Sequence, residues 1–279
     1  MGLLGASITS AILRSISGAR SAGFSHRPST RQKARDLGVA DEISDTLTDC
    51  VSDADMVILA TPICTFEDIF KQIAPDLKPG CIVTDVGSTK TSAHKWAKTS
   101  LPKDVFYVGS HPIAGSEQRG VEYARDDLLF GATCIVTKNT HTDKTAAEVT
   151  ENLWAALGCI VKVMTPEEHD KIFASVSHVP HIIAAALVNA TEPDVIKYAG
   201  KGFIDTSRIA SGPENIWSDI LMTNSKNITN GLTRAIRQLE LLKGAVQRQD
   251  QQKIETLLAQ ARKKRAAMIN HKVKNRELI

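Results

Sequence analysis

The chain has 279 residues, a formal net charge of +3, and ordinary globular shares of hydrophobic (42%) and charged (23%) residues. That length holds one large domain or two modest ones, and the near-balanced charge gives no reason to expect a nucleic-acid partner. Cys50, Cys64, Cys81, Cys134 and Cys159 are scattered with no C-x-x-C pair. With no run of about 18 apolar residues and no signal-peptide pattern, the expectation is a soluble cytoplasmic protein without disulfide framework, metal site or membrane span.

The chain opens on Gly2-Leu3-Leu4-Gly5 ahead of a helical segment reaching about Ser17. These glycines match the last two of G-x-G-x-x-G, the turn that brings backbone amides to a pyrophosphate at a helix N-terminus. The first glycine, and the strand that should deliver the turn, would precede Met1; a truncated or wrongly assigned start is the simplest reading. Ser21–Ser25 reads as a short strand, Ser29–Leu37 as a helix stopped by Gly38, and Met56–Ala60 as a buried strand running into Thr61-Pro62. Helix 66–73, strand 81–84, helix 89–98, strand 105–108, strand 132–137, helix 144–157 and strand 160–163 follow. This alternation predicts an α/β fold, a Rossmann-like doubly wound parallel sheet lacking its first strand.

The alternation stops at Met164. Thr165-Pro166-Glu167-Glu168 is a helix start, with a Thr cap, Pro in the first turn and Glu three residues beyond the cap. Helical periodicity then runs on, with breaks near Glu192-Pro193, 200–202 and Ser211-Gly212-Pro213. The domains are therefore set at 1–165, dinucleotide-binding, and 166–279, an all-helical substrate and dimerisation domain. From Arg234 onward twelve Lys/Arg stand against four Asp/Glu, read as a solvated helix face. Leu239, Leu242, Val246, Ile254, Leu257 and Leu258 are spaced to pack on a partner helix, and a homodimer is expected.

Two peptides carry candidate chemistry. Val108–Glu117, VGSHPIAGSE, is read as a loop that leaves His111 at the carboxyl end of strand 105–108, where ligands sit in open α/β sheets. The loop Asp85-Val86-Gly87-Ser88-Thr89-Lys90 follows the preceding strand and offers Ser88. In the helical half, His169-Asp170 and Ser177-His178-Val179-Pro180-His181 share one stretch, which Pro180 should kink. His178 and His181 form H-x-x-H, too little for a metal site without further ligands. The segment 202–210, GFIDTSRIA, reads as a glycine turn leading to a partly buried Arg208, a residue type suited to a carboxylate.

Together GLLGAS, ATP at Ala60–Pro62, DVGSTK, GSHPIAGSE, His169-Asp170, SHVPH, KGFIDTSRIA and Trp217 resemble the prephenate/arogenate (cyclohexadienyl) dehydrogenases of tyrosine biosynthesis, in order and over essentially the whole chain. The resemblance implies oxidative decarboxylation of prephenate to 4-hydroxyphenylpyruvate, or of arogenate to tyrosine, with NAD or NADP. It implies His111 as general base, with Ser88 bonding the reacting hydroxyl or orienting His111. Arg208 would clamp a carboxylate, His181 would meet the substrate's side-chain end, Ser116 and His178 would join the pocket, and Glu117, His169, Asp170 and Trp217 would hold its shape. Gly2, Leu3, Leu4, Gly5, Thr61 and Pro62 would hold the cofactor. The segment Phe24–Thr30 holds no Asp or Glu, while its Ser25, Arg27 and Thr30 suit a 2′-phosphate, so the lean is to NADP. Two other readings stand beside this one. One is a non-catalytic dinucleotide- or metabolite-binding relative with a truncated cofactor site. The other is a hydroxy-acid dehydrogenase using a helix lysine, for which Lys171 and Lys197 are poorly set.

Overall fold

A computed structural model describes residues 1–114 and 118–274. Ser116 and Glu117, singled out from the sequence, lie outside the described residues. The chain packs as two compact units, Met1–Ser225 and Lys226–Ile279.

In the first unit, α1 (Leu3–Ser15) leads to β1 (Ala22–Gly23), α2 (Pro28–Asp36), β2 (Glu42–Ile43) and α3 (Leu47–Val51). Next come β3 (Met56–Leu59), α4 (Phe66–Ile73), β4 (Ile82–Asp85), α5 (Thr91–Ser100) and β5 (Phe106–Tyr107). β1 pairs with β2, and β3, β4 and β5 pair in that order, all parallel. Helix α4 shows why its sequence is helical: Phe66, Phe70 and Ile73 recur on one face, and all three are wholly buried. They pack with Val83, Ala93, Ala97 and Val105 into one apolar core. A second core gathers Ile8 and Ala11 of α1 with Val108, Cys134, Val136 and Trp154.

The third sheet differs from the expected pattern. β6 (Gly109–Pro112) pairs antiparallel with β7 (Thr133–Thr137), which pairs parallel with β8 (Ile160–Met164) across α6 (Lys144–Ala156). Val108 N–H still donates to Val83 O at 3.0 Å, so the chain leaves one sheet and enters the next between Val108 and Gly109. His111 is thus a strand residue, opposite Ile135, and not the loop residue read from the sequence. Gly109 permits this crossing: a Cβ there would stand 2.6 Å from Thr137 Oγ1 and 3.0 Å from His94 Nε2.

The change to helix at Thr165 is built by a capping box, with Thr165 Oγ1 accepting from Glu168 N–H and the Glu168 carboxylate accepting from Thr165 N–H. α7 (Pro166–Phe173) passes through a π-helical turn, Ala174–His178, into α8 (Val179–Asn189). The kink expected at Pro180 takes this form: Pro180 has no N–H to give the preceding turn, and the wider turn absorbs the defect. The run Pro166–Asn189 is long and apolar enough, by length and composition, to cross a membrane. A continuous core helix meets the same test, and His169, Asp170 and His178 of this run are buried and hydrogen-bonded within the chain.

The unit closes with α9 (Pro193–Ile196), α10 (Lys201–Ser207), a 3-10 turn at Arg208–Ser211, and α11 (Glu214–Thr223). The segment read as a glycine turn is therefore helical, with Gly202 inside α10. α12 (Ser225–Gln247) leads into the second unit, where α13 (Gln251–Lys274) follows a tight turn. Gln249 takes the left-handed conformation, φ 54°, and Asp250 accepts from Lys253 N–H at the start of α13. Leu239, Val246 and Leu258 are exposed on these helices.

Candidate active site

Three elements bring the chemistry together: β6 carries His111, α7 carries His169 and Asp170, and the β4–α5 loop carries Ser88 and Lys90. His111 Nδ1 lies 2.8 Å from His169 Nε2, and His169 Nδ1 lies 2.9 Å from Asp170 Oδ1. A carboxylate only accepts, so His169 Nδ1 carries the hydrogen given to Asp170. In the neutral ring this makes His169 Nε2 an acceptor, and His111 Nδ1–H its donor. The lone pair of His111 is then at Nε2. Phe173, one helical turn beyond His169, lies against both rings, with centroids at 5.0 Å and 4.5 Å.

Asp170 is fixed by the backbone as well. Its carboxylate accepts from Lys90 N–H at 2.8 Å and Thr91 N–H at 2.9 Å, so a side chain of α7 caps the N-terminus of α5. Asn224 Nδ2–H donates to the Asp170 carbonyl at 2.7 Å. Burial alone would raise the Asp170 carboxyl, but the hydrogen bonds from His169 and Thr91 outweigh it and hold the group below the usual carboxylate range. Burial, then the neighbouring His169 and the Lys90 ammonium, holds the His111 ring well below its ordinary 6.5. His169 is also lowered, by burial first and partly restored by Asp170. Both shifts favour the neutral rings.

Beneath β6 lies a second polar network. Lys90 and Asp85 form an ion pair with both side chains fully buried. The Lys90 ammonium also donates to Ser110 O at 2.6 Å. The Asp85 carboxylate accepts from Gly87 N–H at 2.8 Å, Tyr107 O–H at 2.8 Å and Ser110 N–H at 3.0 Å. Ser110 Oγ takes a bond from Trp154 Nε1–H at 2.9 Å and shares another with Thr84 Oγ1 at 2.8 Å.

The other residues singled out from the sequence are placed as follows. Ser88 is half-buried on the β4–α5 loop, and His111 takes its ring partner from His169 instead. His178 is enclosed in the helical core, its Nδ1 3.2 Å from Asn224 Nδ2, and burial lowers it to about 4. His181 stacks on Trp217 with centroids 3.5 Å apart and planes within 9°. Its Nδ1 is buried without a hydrogen-bond partner, a donor or acceptor that calls for a polar group. His181 and Trp217 line an open cavity of about 410 Å³ with Glu214, Ser218 and Met222. Arg208 is exposed in the 3-10 turn after α10, not partly buried. Among the described residues no group of three or more His, Cys, Asp or Glu side chains is gathered as a metal site.

At the N-terminus of the chain, the first intrahelical bond of α1 runs from Ala6 N–H to Gly2 O at 2.9 Å, which leaves the amides of Leu3, Leu4 and Gly5 without an intrahelical acceptor. A Cβ on Gly5 would come within 3.3 Å of Ala60 Cβ, so this terminus sits against the end of β3, next to Thr61 and Pro62. Thr61 Oγ1 pairs with Thr65 Oγ1 at 2.9 Å. The Met1 amino group donates to Phe24 O, which brings the end of β1 to the same place. There Ser25 is buried and its Oγ accepts from Arg27 N–H at 3.4 Å; the Arg27 side chain is exposed at the start of α2, and Thr30 lies in its first turn. The sequence reading missed Arg31, which donates to Ser25 O at 2.8 Å, pairs with Asp45 at 3.2 Å and lies over the Phe24 ring. Its position four residues after Arg27, on one helix face, was the available signal. The reading also missed Asp85, Lys90 and Tyr107 as a group.

The description of the prephenate dehydrogenase nucleotide-binding domain matches residues 9–163, and that of the prephenate dehydrogenase dimerization domain matches residues 165–260. The chain is 35% identical to the prephenate dehydrogenase of Bacillus subtilis over 257 residues, 90% of this chain and 69% of that one. Among solved structures, that of prephenate dehydrogenase from A. aeolicus in complex with hydroxyphenyl propionate and NAD+ superposes with a TM-score of 0.88 at 33% identity, covering 96% of this chain and 95% of that one. Synechocystis arogenate dehydrogenase gives a TM-score of 0.82 at 28% identity, covering 96% and 97%. The two domain descriptions, in order and side by side, agree with the fold: the chain belongs to the prephenate dehydrogenase family of oxidoreductases.

Proposed function

We propose that this chain oxidises and decarboxylates prephenate to 4-hydroxyphenylpyruvate, with arogenate as the second candidate substrate, and that His111 is its general base. The observation that carries this reading is the chain of bonds His111–His169–Asp170, which leaves a neutral ring with its lone pair on Nε2. The substrate's ring hydroxyl gives its proton to that nitrogen. A dinucleotide held at the N-terminus of α1, beside Thr61 and Pro62, would supply the acceptor for the hydride on the carbon bearing the hydroxyl. The carbon–carbon bond to the ring carboxylate then breaks, its electrons complete the aromatic ring, and carbon dioxide leaves. As His111 gains positive charge, His169 and Asp170 hold its ring in place and spread the charge, as positioning residues.

Ser88 bonds the reacting hydroxyl from the β4–α5 loop. Arg208 meets a substrate carboxylate, and the His181 ring meets the side-chain end; an imidazole suits a keto acid at least as well as an ammonium, which favours prephenate. His178, enclosed and bonded to Asn224, supports the pocket from behind. The functional division is placed near residue 165, with the helical half forming a homodimer, and the enzyme is assigned to the cytoplasm. The non-catalytic alternative is set aside, since the relatives matched over most of the chain are dehydrogenases.

A dinucleotide fits the first unit: the open amides of α1 suit a pyrophosphate, and the glycine at position 5 keeps the helix terminus close to β3. Ser25 and the exposed Arg27 favour NADP. Following reduced-cofactor absorbance for prephenate and arogenate, each with NAD and NADP, tests all of this. Fastest turnover is expected for prephenate with NADP. No turnover in any combination by the folded protein would defeat the proposal.

A further inference from the structure

We infer that the buried pair of Lys90 and Asp85 is a positioning element of the reaction, tying the strand that carries His111 to the helix that carries its relay. This rests on the reading of His111 as base.

Lys90 touches both halves of the relay at once. Its ammonium donates to Ser110 O, one residue before His111, and its backbone N–H donates to Asp170, one residue after His169. Asp85 completes the clamp by taking the Ser110 N–H. Both peptide groups flanking the Ser110 side chain are therefore held by this pair, and the His111 ring follows from a strand gripped on its inner side. A displacement of about 1 Å at such a point costs on the order of 10²-fold in rate. Two fully buried charges are an expensive way to fill a core, and apolar residues of like volume commonly serve a fold as well or better. The pair sits where its charge acts on the site. Among the described residues, the titratable groups around His111 are His169 from α7, with Asp170 behind it, His178 from the π-helical turn, Lys90 from the start of α5, with Asp85 behind it at the end of β4, and the Cys134 thiol of β7 beside the His111 backbone. Lys90 is the fixed cation among them, and it favours the neutral form of the base.

The test compares Lys90→Met, Asp85→Asn and the double variant with the unaltered chain and with His111→Asn. The readouts are kcat, KM for prephenate, and the pH profile of kcat/KM. The double variant leaves no buried charge unpaired, so it is the arm expected to fold. Its kcat should fall about tenfold to hundredfold with KM changed by less than about threefold. The acid limb of kcat/KM should move to higher pH in the double variant and in Lys90→Met, where the cation is gone. It should move to lower pH in Asp85→Asn, where the cation is left uncompensated. A merely structural pair would weaken all three variants without opposite pH shifts. A double variant that fails to fold, or that folds and keeps both the original kcat and the original acid limb, overturns the inference. Retained activity in His111→Asn would instead sink the assignment of the base, and the inference with it; that arm tells the two failures apart.

Discussion

His111 and His169 share a 2.8 Å hydrogen bond between Nδ1 and Nε2, across 58 residues of sequence. The bond joins a strand of the first half to a helix of the second, and Asp170 completes it at 2.9 Å. An aspartate beside one ring thereby decides which nitrogen of the other carries the lone pair.

Substituting Asp170→Asn keeps the shape and removes the charge. An amide can present its NH2 to His169 and reverse the order of donors along the chain. The expected result is a fall in kcat of about 10²-fold or more. The same change weakens the cap on α5, at a cost of about 1–2 kcal/mol. Steady-state kinetics and urea unfolding measure the two effects separately.

The pH dependence of stability has a definite sign. His178 and His94 are held to about 4 by burial, against 6.5 when unfolded. Their neutral forms favour the fold fully above pH 6.5. That contribution is lost as pH falls from 6.5 towards 4, because the unfolded chain binds the protons first. For His178, buried to 1% exposure, the loss is on the order of 3 kcal/mol. Chemical unfolding at pH 7 and pH 4.5 should show the drop, and His178→Gln should reduce it.

Arg27 tests the proposed preference for NADP. If its guanidinium meets a 2′-phosphate, Arg27→Ala removes a charge-assisted contact of about 1.5–3 kcal/mol. KM for NADP should rise about tenfold or more while KM for NAD stays within about twofold. Equal effects on both cofactors would assign Arg27 to the turn alone.

Much of the fold is legible in the sequence because periodicity and end signals agree. The helix at 66–73 and the capping box at Thr165 follow from local spacing and hydrogen-bonding capacity. The strand that carries His111 is not legible in this way. Gly-Ser-His-Pro has neither strand propensity nor alternation, and it becomes a strand only because Thr133–Thr137 lies alongside. The glycines before Arg208 suggest a turn, yet residues 201–207 have neighbours that make a helix. The ring His111, the motif around Ser88 and the histidines of the helical half stand out by residue type. The bonds that organise them do not, since Asp85, Lys90, Ser110 and Asp170 meet only after folding. Which nitrogen is free on His111 is a property of the assembled site.

The most direct measurement is the pH profile of kcat/KM for prephenate oxidation by the unaltered chain beside the His111→Asn variant. The account predicts an acid limb below pH 6.5, since burial and Lys90 keep the base neutral. It predicts a loss of about 10²-fold or more in kcat for the variant, with cofactor binding intact. An acid limb above 6.5, or a folded variant that turns over as fast as the parent, would contradict the assignment of His111 as the base.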